Sequence, residues 1–238
     1  YFDAHCDTLT KFNSLRQSSR NHIDLLRLHH YAPAAQVMAI WAPPGFDGPT
    51  AFRRIMLTVE RELKENRDLA ALCTSVAEAD AAAKDDMVAV FLSVEGANLL
   101  RCSVAGLLDG YRRGVRMVTL TWNGPNALGS GNDTSHGLTG FGRSCVGELE
   151  RRGIIVDASH LNDAGFKDVC AVADRPFAAS HSNARAICGH PRNLADWQLR
   201  ELADCGGIAG LNFCTQFLTD RLADPTRDDV LRHVDHVL

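Results

Sequence analysis

The chain has 238 residues, of which 45% are hydrophobic and 23% are charged, and its formal net charge is −4 at pH 7. This composition is ordinary for a folded globular protein and excludes an intrinsically disordered chain, which is poorer in apolar residues. The absence of a basic run argues against a nucleic-acid-binding protein, and no apolar stretch approaches the ~20 residues of a membrane span.

Eight cysteines are spread along the chain, and no two of them form a Cys-x-x-Cys pair. Most lie in apolar runs, as Cys170 does, and we predict that they are small buried residues in a reducing compartment. Cys6 is the exception, because it stands between His5 and Asp7. With no signal peptide or membrane anchor in the sequence, we expect a soluble, cytoplasmic protein.

Short apolar runs alternate with helical patterns along the whole chain. Seven strands are predicted, over Tyr1–Asp7, Ala35–Trp41, Met87–Glu95, Val115–Thr121, Gly153–His160, Pro176–Ser182 and Gly207–Phe213. Helices are predicted over Phe141–Arg152, Leu161–Asp174, Asp196–Cys205 and Pro225–Leu238, with Asn162 or Asp163 and Asp196 as N-caps and Gly153 as a stop. Runs that are apolar almost throughout are typical of strands buried on both faces of a parallel sheet.

Strand, helix and strand repeated in this way predict an α/β fold, and we expect one domain over residues 1–238. Seven strands fit either a barrel or an open doubly wound sheet. A nucleotide-binding enzyme of the second kind is disfavoured, because no Gly-x-Gly-x-x-Gly follows the first strand. The glycine-rich segment 124–140 instead follows the fourth strand, where it would either shape a site or simply connect two elements.

Five polar residues stand at the ends of four predicted strands. They are His5, Asp7, Glu95, His160 and His181. In an α/β barrel the catalytic groups project from the carboxyl ends of different strands into one mouth, so these positions favour a barrel. Imidazoles and carboxylates together suit zinc or a similar divalent ion. The sequence therefore predicts a metal centre, whereas His22, His29, His30, His233 and His236 are predicted to be solvated.

Nearly the whole chain resembles the membrane dipeptidase (renal dipeptidase) family, the M19 metallopeptidases. The matching segments are Asp3–Asp7, Ser93–Gly96, Gly114–Arg116, Thr119–Asn123, Gly137–Thr139, Phe141–Gly142, Gly153–His160, Ser180–Arg185, His190–Leu194, Gly206–Gly207 and Asn212–Phe213. The resemblance implies a TIM-type (β/α)8 barrel that hydrolyses dipeptides with two zinc ions.

The resemblance also implies roles for individual residues. His5 and Asp7 would hold one metal ion, His160 and His181 the other, and Glu95 would bridge both. Glu95 and Asp7 are then the carboxylates at the catalytic centre. Arg192 would receive the substrate carboxylate, a task that suits the planar fork of a guanidinium.

The sequence departs from the family in two places. A further metal-site aspartate is expected at the end of an eighth strand, and the sequence ends before such a segment, so we expect a barrel truncated before the eighth strand. Its exposed edges would favour a homodimer. Trp122 stands where some members have a histidine, and Asn123 or His136 could substitute for it. We expect Trp122 and Asn123 to contact the substrate.

The favoured hypothesis is a zinc-dependent dipeptidase that uses a metal-bridging hydroxide, with a C-terminal D-residue as an allowed substrate feature. One alternative is another amidohydrolase-type enzyme acting on a cyclic amide, a lactone or an N-acyl amino acid. That class usually has His-x-His on its first strand and often a carboxylated lysine as bridge, so Glu95 favours the dipeptidase. The other alternative is an inactive truncated barrel that serves as a binding protein.

Overall fold

Strands and helices alternate in the computed structural model, which describes residues 1–11 and 13–238. The strands are β1 (Phe2–Cys6), β2 (Ala35–Ile40), β3 (Ala70–Leu72), β4 (Val88–Glu95), β5 (Val115–Thr119), β6 (Ile155–Asp157), β7 (Ala178–Ala179) and β8 (Ile208–Ala209). The α-helices are α1 (Leu25–His29), α2 (Gly48–Glu65), α3 (Val76–Lys84), α4 (Val104–Arg112), α5 (Gly140–Arg151), α6 (Asp163–Val172), α7 (Asp196–Asp204) and α8 (Arg227–Val237). In the described part of the chain, no helix is long and apolar enough to cross a membrane.

The chain divides into two compact units. The first contains residues 1–118 and 152–154, and its strands run in the order β1-β2-β4-β5, with β3 also paired to the start of β4. The pairings of β1 with β2, β2 with β4 and β3 with β4 are parallel. Ile40 lies opposite Val94, so β2 and β4 end together and Glu95 follows at the carboxyl edge of the sheet. That edge is where an α/β sheet presents its functional side chains.

Helix α2 covers part of the first unit with an apolar face. Phe52, Ile55, Met56 and Val59 recur at the spacing of an amphipathic helix and are almost fully buried. The helix begins after Asp47, whose side chain accepts a hydrogen bond from the backbone N–H of Thr50. This N-cap pairs one of the N–H groups that a helix start leaves without an intrahelical partner.

The second unit contains residues 119–151 and 155–238. Its strands β6, β7 and β8 are parallel neighbours, with Ala178 opposite both Asp157 and Ile208. Helix α5 buries Cys145, Val146 and Leu149 on one face, as predicted from their spacing. The ladder is short here, because each strand contributes only two or three residues before the chain turns into a loop.

Each of the seven predicted strands contains a strand of the structure. Strand β3 was not predicted, because three residues are too few to show a periodicity. Asn162 caps α6 as predicted, accepting from the backbone N–H of Gly165 at 2.8 Å. Asp196 was wrong as the cap of α7: the N-cap is Ala195, whose N–H donates to the side chain of Gln198 at 2.8 Å. The prediction that most cysteines are buried holds for four of the eight, Cys6, Cys73, Cys145 and Cys188, whereas Cys102, Cys170 and Cys205 are half-buried and Cys214 is exposed.

His233 corrects another expectation, because it is fully buried rather than solvated. It lies on α8, where its Nδ1 accepts a hydrogen bond from the backbone N–H of Ala184 at 3.1 Å. Its Nε2 donates to the carbonyl of Leu218, also at 3.1 Å. Periodicity places a side chain on one face of a helix, but it does not show that the polar edges of an imidazole meet backbone partners inside the unit. His236, on the same helix, is exposed as predicted.

We expect His233 to make stability depend on pH. Burial is the largest effect and lowers the pKa of His233 below the ordinary 6.5. Arg232 and His236 lower this pKa further, whereas the hydrogen bond to the carbonyl of Leu218 and the charge of Asp229 raise it. A base with a lowered folded-state pKa binds protons more readily in the unfolded chain. The contribution of His233 to the free energy of unfolding is therefore complete above about pH 6.5 and declines as pH falls below that value.

The measurement is the urea midpoint of unfolding between pH 5 and 8, for the wild type, His233→Asn and His22→Asn. His233→Asn should be less stable at pH 8 and should show a flatter decline towards acid. His22→Asn replaces an exposed histidine and is the matched control, which should follow the wild type. Parallel acid profiles for wild type and His233→Asn would contradict this assignment.

Candidate metal centre

In the first unit, the end of β1 brings His5 and Asp7 together. The pairing with β2 slips between Asp3 and Cys6, which is a β-bulge, and the carboxylate of Asp3 accepts from the backbone N–H of His5 at 2.9 Å. Beyond the bulge, Nε2 of His5 lies 3.5 Å from a carboxylate oxygen of Asp7. The predicted grouping of the His-x-Asp pair is therefore present, although a bulge rather than a regular strand holds it.

Glu95 joins this pair from the end of β4. One of its carboxylate oxygens lies 3.8 Å from Nε2 of His5, and both side chains are almost fully buried, whereas the Asp7 side chain is 52% exposed. Gly96 follows with φ +89°, a left-handed conformation that turns the chain sharply after the carboxylate. In the first unit, Nε2 of His5 therefore lies within 4 Å of two carboxylates, those of Asp7 and Glu95.

Cys6 does not belong to this donor group. Its side chain is buried, and burial raises the pKa of the thiol to about 12. A thiol with so high a pKa stays protonated at neutral pH, and only a thiolate is an effective metal ligand or nucleophile. Successive side chains in a strand point to opposite faces, which separates Cys6 from its two neighbours.

In the second unit, His160 and His181 face each other. Their Nε2 atoms are 2.9 Å apart, and both residues are more than nine-tenths buried. The other ring nitrogen of each has its own partner: Nδ1 of His160 contacts the amide oxygen of Asn123 at 2.7 Å, and Nδ1 of His181 contacts the hydroxyl of Ser180 at 2.8 Å. Asn123 was predicted to bind substrate, and here its amide orients an imidazole.

These partners place a proton on Nδ1 of each ring. An amide oxygen only accepts, so His160 donates through its Nδ1–H. His181 likewise donates through its Nδ1–H to Ser180, because the single proton of Ser180 goes to the carboxylate of Asp157 at 2.7 Å. Each ring is therefore oriented through its Nδ1, and the two Nε2 atoms face each other.

The donor chemistry of both units therefore fits a metal ion. Two nitrogen ligands of one tetrahedral zinc lie about 3.3 Å apart, as follows from Zn–N distances of about 2.0–2.1 Å. The 2.9 Å between the two Nε2 atoms is within a few tenths of that spacing. Neutral imidazoles and carboxylates are ligands that zinc accepts, and ring nitrogens already held at Nδ1 are typical of metal-binding histidines.

His160 has a strained backbone, with φ +72°. Residues with a side chain rarely adopt this conformation, which costs of order 1–3 kcal/mol and is found preferentially at functional sites. Here it turns the imidazole out of the end of β6. Sequence analysis could not predict this conformation, since a left-handed residue is expected at glycine or asparagine.

The buried carboxylate of Asp157 holds the residues that precede the two histidines in the chain. Asp157 is fully buried, and its two oxygens accept four hydrogen bonds, from the N–H groups of Ser159 and Ser180 and from the hydroxyls of Thr119 and Ser180. Burial opposes ionisation, but nearby His181 and the bonds from Ser180 and Thr119 outweigh it, so the pKa of Asp157 is lowered. The sequence suggested a supporting role for Asp157 but not the parts of Thr119 and Ser180.

Arg192 lies on a loop that is closed by its own hydrogen bonds. The side chain of Asn193 donates to the carbonyls of Cys188 and Phe217, and Arg185 donates to the carbonyl of Asn193. Arg192 is 6% exposed, and its guanidinium carbon is 5.7 Å from the centre of the Phe217 ring. A cation packed beside an aromatic ring is held in place by that contact.

The segment 124–140 is anchored rather than loose. The side-chain amide of Asn162 donates to the carbonyls of Gly131, Thr134 and His136 at 2.8–3.2 Å. Trp122 precedes this segment, with its ring 6.0 Å from that of His160, whereas the side chain of His136 is exposed. Trp122 thus lies beside a candidate ligand, and His136 takes part through its carbonyl only.

Comparison with known proteins assigns the family. Residues 1–238 match the membrane dipeptidase family, peptidase family M19. A Klebsiella pneumoniae protein from the pqqA 5′ region is 35% identical over 181 residues, which cover 70% of this chain and 66% of that protein, just under two thirds of its length. The chain therefore belongs to the membrane dipeptidase family, and the prediction of an enzyme of this metallopeptidase family is confirmed.

Two solved structures share the fold. A metallopeptidase from Rhodobacter sphaeroides, liganded with a phosphinate mimic of the dipeptide L-Ala-D-Ala, is 29% identical with a TM-score of 0.88, over 99% of this chain and 81% of that one. Dipeptidase AC, a metallopeptidase of family M19, is 30% identical with a TM-score of 0.90, over 99% and 79%. The predicted α/β fold of the TIM-type barrel class is confirmed.

Gly131 offers a test of how the Trp122–Asn123 segment is held. A Cβ at Gly131 would lie 1.8 Å from the carbonyl oxygen of Trp122, whereas a Cβ at Gly124 would have nothing within 4 Å. Gly131→Ala should therefore push the segment away and cost about 1–3 kcal/mol in the free energy of unfolding. Gly124→Ala, the matched control, should stay within about 0.5 kcal/mol of the wild type. Urea unfolding measures both, and equal midpoints would contradict the close packing.

Proposed function

We propose that the chain is a zinc-dependent dipeptidase that holds two zinc ions. His5 and Asp7 would hold one ion, with Glu95 as a further carboxylate ligand, and His160 and His181 would hold the other. Membership of a metallopeptidase family and the donor chemistry of each unit support this proposal. The observation that carries it is the facing pair of Nε2 atoms, 2.9 Å apart, in two buried rings that are each oriented by a hydrogen bond at Nδ1.

A bound pair of divalent ions supplies a nucleophilic water near neutral pH and polarises the scissile carbonyl. The chain's own residues position the substrate. Arg192, buried beside Phe217, would bind the free C-terminal carboxylate of a dipeptide by two parallel hydrogen bonds. Binding that carboxylate at a fixed place selects short substrates and holds the peptide bond for attack. Trp122 and Asn123 stay candidates for substrate contact, with the amide of Asn123 already bonded to His160.

The same residues and one relative support the proposed substrate class. The Rhodobacter sphaeroides protein is liganded with a mimic of L-Ala-D-Ala, and we propose that this chain likewise accepts a C-terminal D-residue. The amidohydrolase-type alternative remains testable, because it predicts cleavage of a cyclic amide or an N-acyl amino acid instead. A cytoplasmic location and a homodimer remain predictions from the sequence.

Metal removal tests the proposal directly. Purified protein should contain close to two zinc ions per chain, and dialysis against a chelator should abolish hydrolysis of L-Ala-L-Ala and L-Ala-D-Ala, with recovery on adding zinc. A cyclic amide and N-acetyl-alanine should be cleaved poorly. His181→Ala should lose bound zinc, whereas His136→Ala, an exposed histidine, should retain it. Chelator-resistant cleavage, or metal-free protein with full activity, would overturn the proposal.

Arg192 provides a separate test of substrate recognition. Arg192→Met removes charge-assisted hydrogen bonds worth about 1.5–3 kcal/mol, so KM for a dipeptide should rise roughly 10–100-fold with a smaller change in kcat. Arg227→Met is the matched control, since that arginine side chain is 87% exposed. The measurement is steady-state hydrolysis of a dipeptide and of its C-terminal amide. The role fails if Arg192→Met discriminates between the two substrates as strongly as the wild type does.

A further inference from the structure

We infer that Asp157 is a positioning residue for the metal ligand His181 and that it acts through the hydroxyl of Ser180. The inference rests on the proposed function, because it takes His181 as a ligand. Three atoms carry it in sequence: a carboxylate oxygen of Asp157, the Ser180 hydroxyl 2.7 Å away, and Nδ1 of His181 a further 2.8 Å away. All three residues are buried, so within the described chain they are shielded from competition by bulk water.

The direction of each hydrogen bond follows from the number of protons. A carboxylate only accepts, so the single proton of Ser180 is directed to Asp157. The hydroxyl oxygen must then accept from His181, which places the ring proton on Nδ1. This hydrogen bond fixes the orientation of the ring, with Nε2 turned towards His160, before any ligand arrives.

The two histidines are supported by different chemistry. His160 donates directly to a neutral amide, that of Asn123, whereas His181 donates to a hydroxyl that is itself bonded to a carboxylate. Hydrogen bonds in such a chain polarise one another, so the acceptor offered to His181 is strengthened by the charge of Asp157. A stronger acceptor at Nδ1 makes Nε2 a better electron donor. His181 should therefore be a stronger metal ligand than His160.

A purely structural role for Asp157 is the competing explanation. Its carboxylate also accepts from the N–H groups of Ser159 and Ser180 and from the hydroxyl of Thr119, and so joins the ends of β5, β6 and β7. Loss of the carboxylate would weaken those contacts whatever happens at His181. The test therefore needs variants that keep the hydrogen bonds from the backbone to residue 157. These variants should change only which atoms of the path from residue 157 through Ser180 to His181 carry the protons.

Asp157→Asn meets that requirement. One side-chain oxygen still accepts from the two backbone N–H groups, so the amide nitrogen takes the place of the oxygen that faces Ser180. The nitrogen donates to the Ser180 hydroxyl, whose proton is then free to point at His181. A Ser180 proton directed at Nδ1 favours the tautomer of His181 with its ring proton on Nε2, the wrong tautomer for a metal ligand.

Ser180→Ala and Thr119→Val complete the set. Ser180→Ala removes the acceptor for Nδ1 and leaves the tautomer of His181 undetermined. Thr119→Val removes the other hydroxyl bonded to the same carboxylate oxygen, at 2.6 Å, and makes no change in the chain that leads to His181. It is the matched control, with nearly the same volume and the same loss of one buried hydrogen bond.

The experiment is nitrogen-15 NMR of the imidazole rings in metal-free full-length protein at pH 8, followed by competition for zinc with a chromophoric chelator. His181 should carry its proton on Nδ1 in the wild type and Thr119→Val, and on Nε2 in Asp157→Asn. Zinc should bind roughly 10–100-fold more weakly to Asp157→Asn and Ser180→Ala, and within about twofold of wild type to Thr119→Val.

The outcomes separate this inference from the proposed function. An unchanged His181 tautomer in folded Asp157→Asn, or equal zinc affinity in all four proteins, would overturn the positioning role. A Thr119→Val variant as impaired as Asp157→Asn would also overturn it in favour of the structural role. Wild-type protein that shows the expected tautomer but binds no zinc would instead refute the proposed metal centre. Circular dichroism confirms that each variant is folded.

Discussion

A carboxylate buried without solvent contact is the constraint on which the second unit depends. An ionised group inside a protein is costly unless its oxygens are fully hydrogen-bonded, and Asp157 meets that condition with four donors. The donors come from three different strand ends, so satisfying one charge fixes where β5, β6 and β7 stop relative to one another. The spacing that satisfies the carboxylate also places Ser180 between it and His181. The same set of hydrogen bonds therefore satisfies the buried charge and orients the imidazole.

The shortness of the last strands is a consequence of this arrangement. Strands β6 and β7 contribute only three and two residues to the ladder, because the chain leaves the sheet to direct Ser159, His160, Ser180 and His181. Backbone groups that would pair within a ladder are instead bonded to side chains, as the N–H groups of Ser159 and Ser180 are to Asp157. His160 has a left-handed backbone conformation, and the contacts around it must outweigh the cost of that conformation.

Sequence reasoning succeeded where the signal is local and failed where it depends on partners distant in the chain. His-x-Asp at the end of an apolar run predicted that His5 and Asp7 lie together, since side chains two apart share a face. Nothing in that spacing indicated the bulge held by Asp3, because a bulge is recognised only against the neighbouring strand. Glu95, His160 and His181 were identified by their position after apolar runs, which is also local information.

The positions of the ring protons and the burial of individual side chains could not be predicted from the sequence, for the same reason. The tautomer of His160 depends on Asn123, which lies 37 residues away, and that of His181 depends on a charge 23 residues before Ser180. His233 shows the converse error: a helical pattern suggested a solvated side chain, whereas its partners are backbone groups of Ala184 and Leu218. Asp196 was a reasonable cap by residue type, yet Gln198 supplied the bond and moved the cap by one residue.

Rigid loops extend this reasoning from the imidazoles to the substrate. Arg192 carries a long side chain whose conformational entropy would be lost on binding a carboxylate, at a cost of up to about 1.5–2 kcal/mol. Much of that loss has already occurred, because the residue is buried, its neighbour Asn193 bonds two carbonyls, and Phe217 lies beside its guanidinium. Asn162 does the same for the segment after Trp122 by binding three carbonyls at once. Side chains proposed to contact the substrate are thus ordered by folding, so that binding energy need not be used to order them.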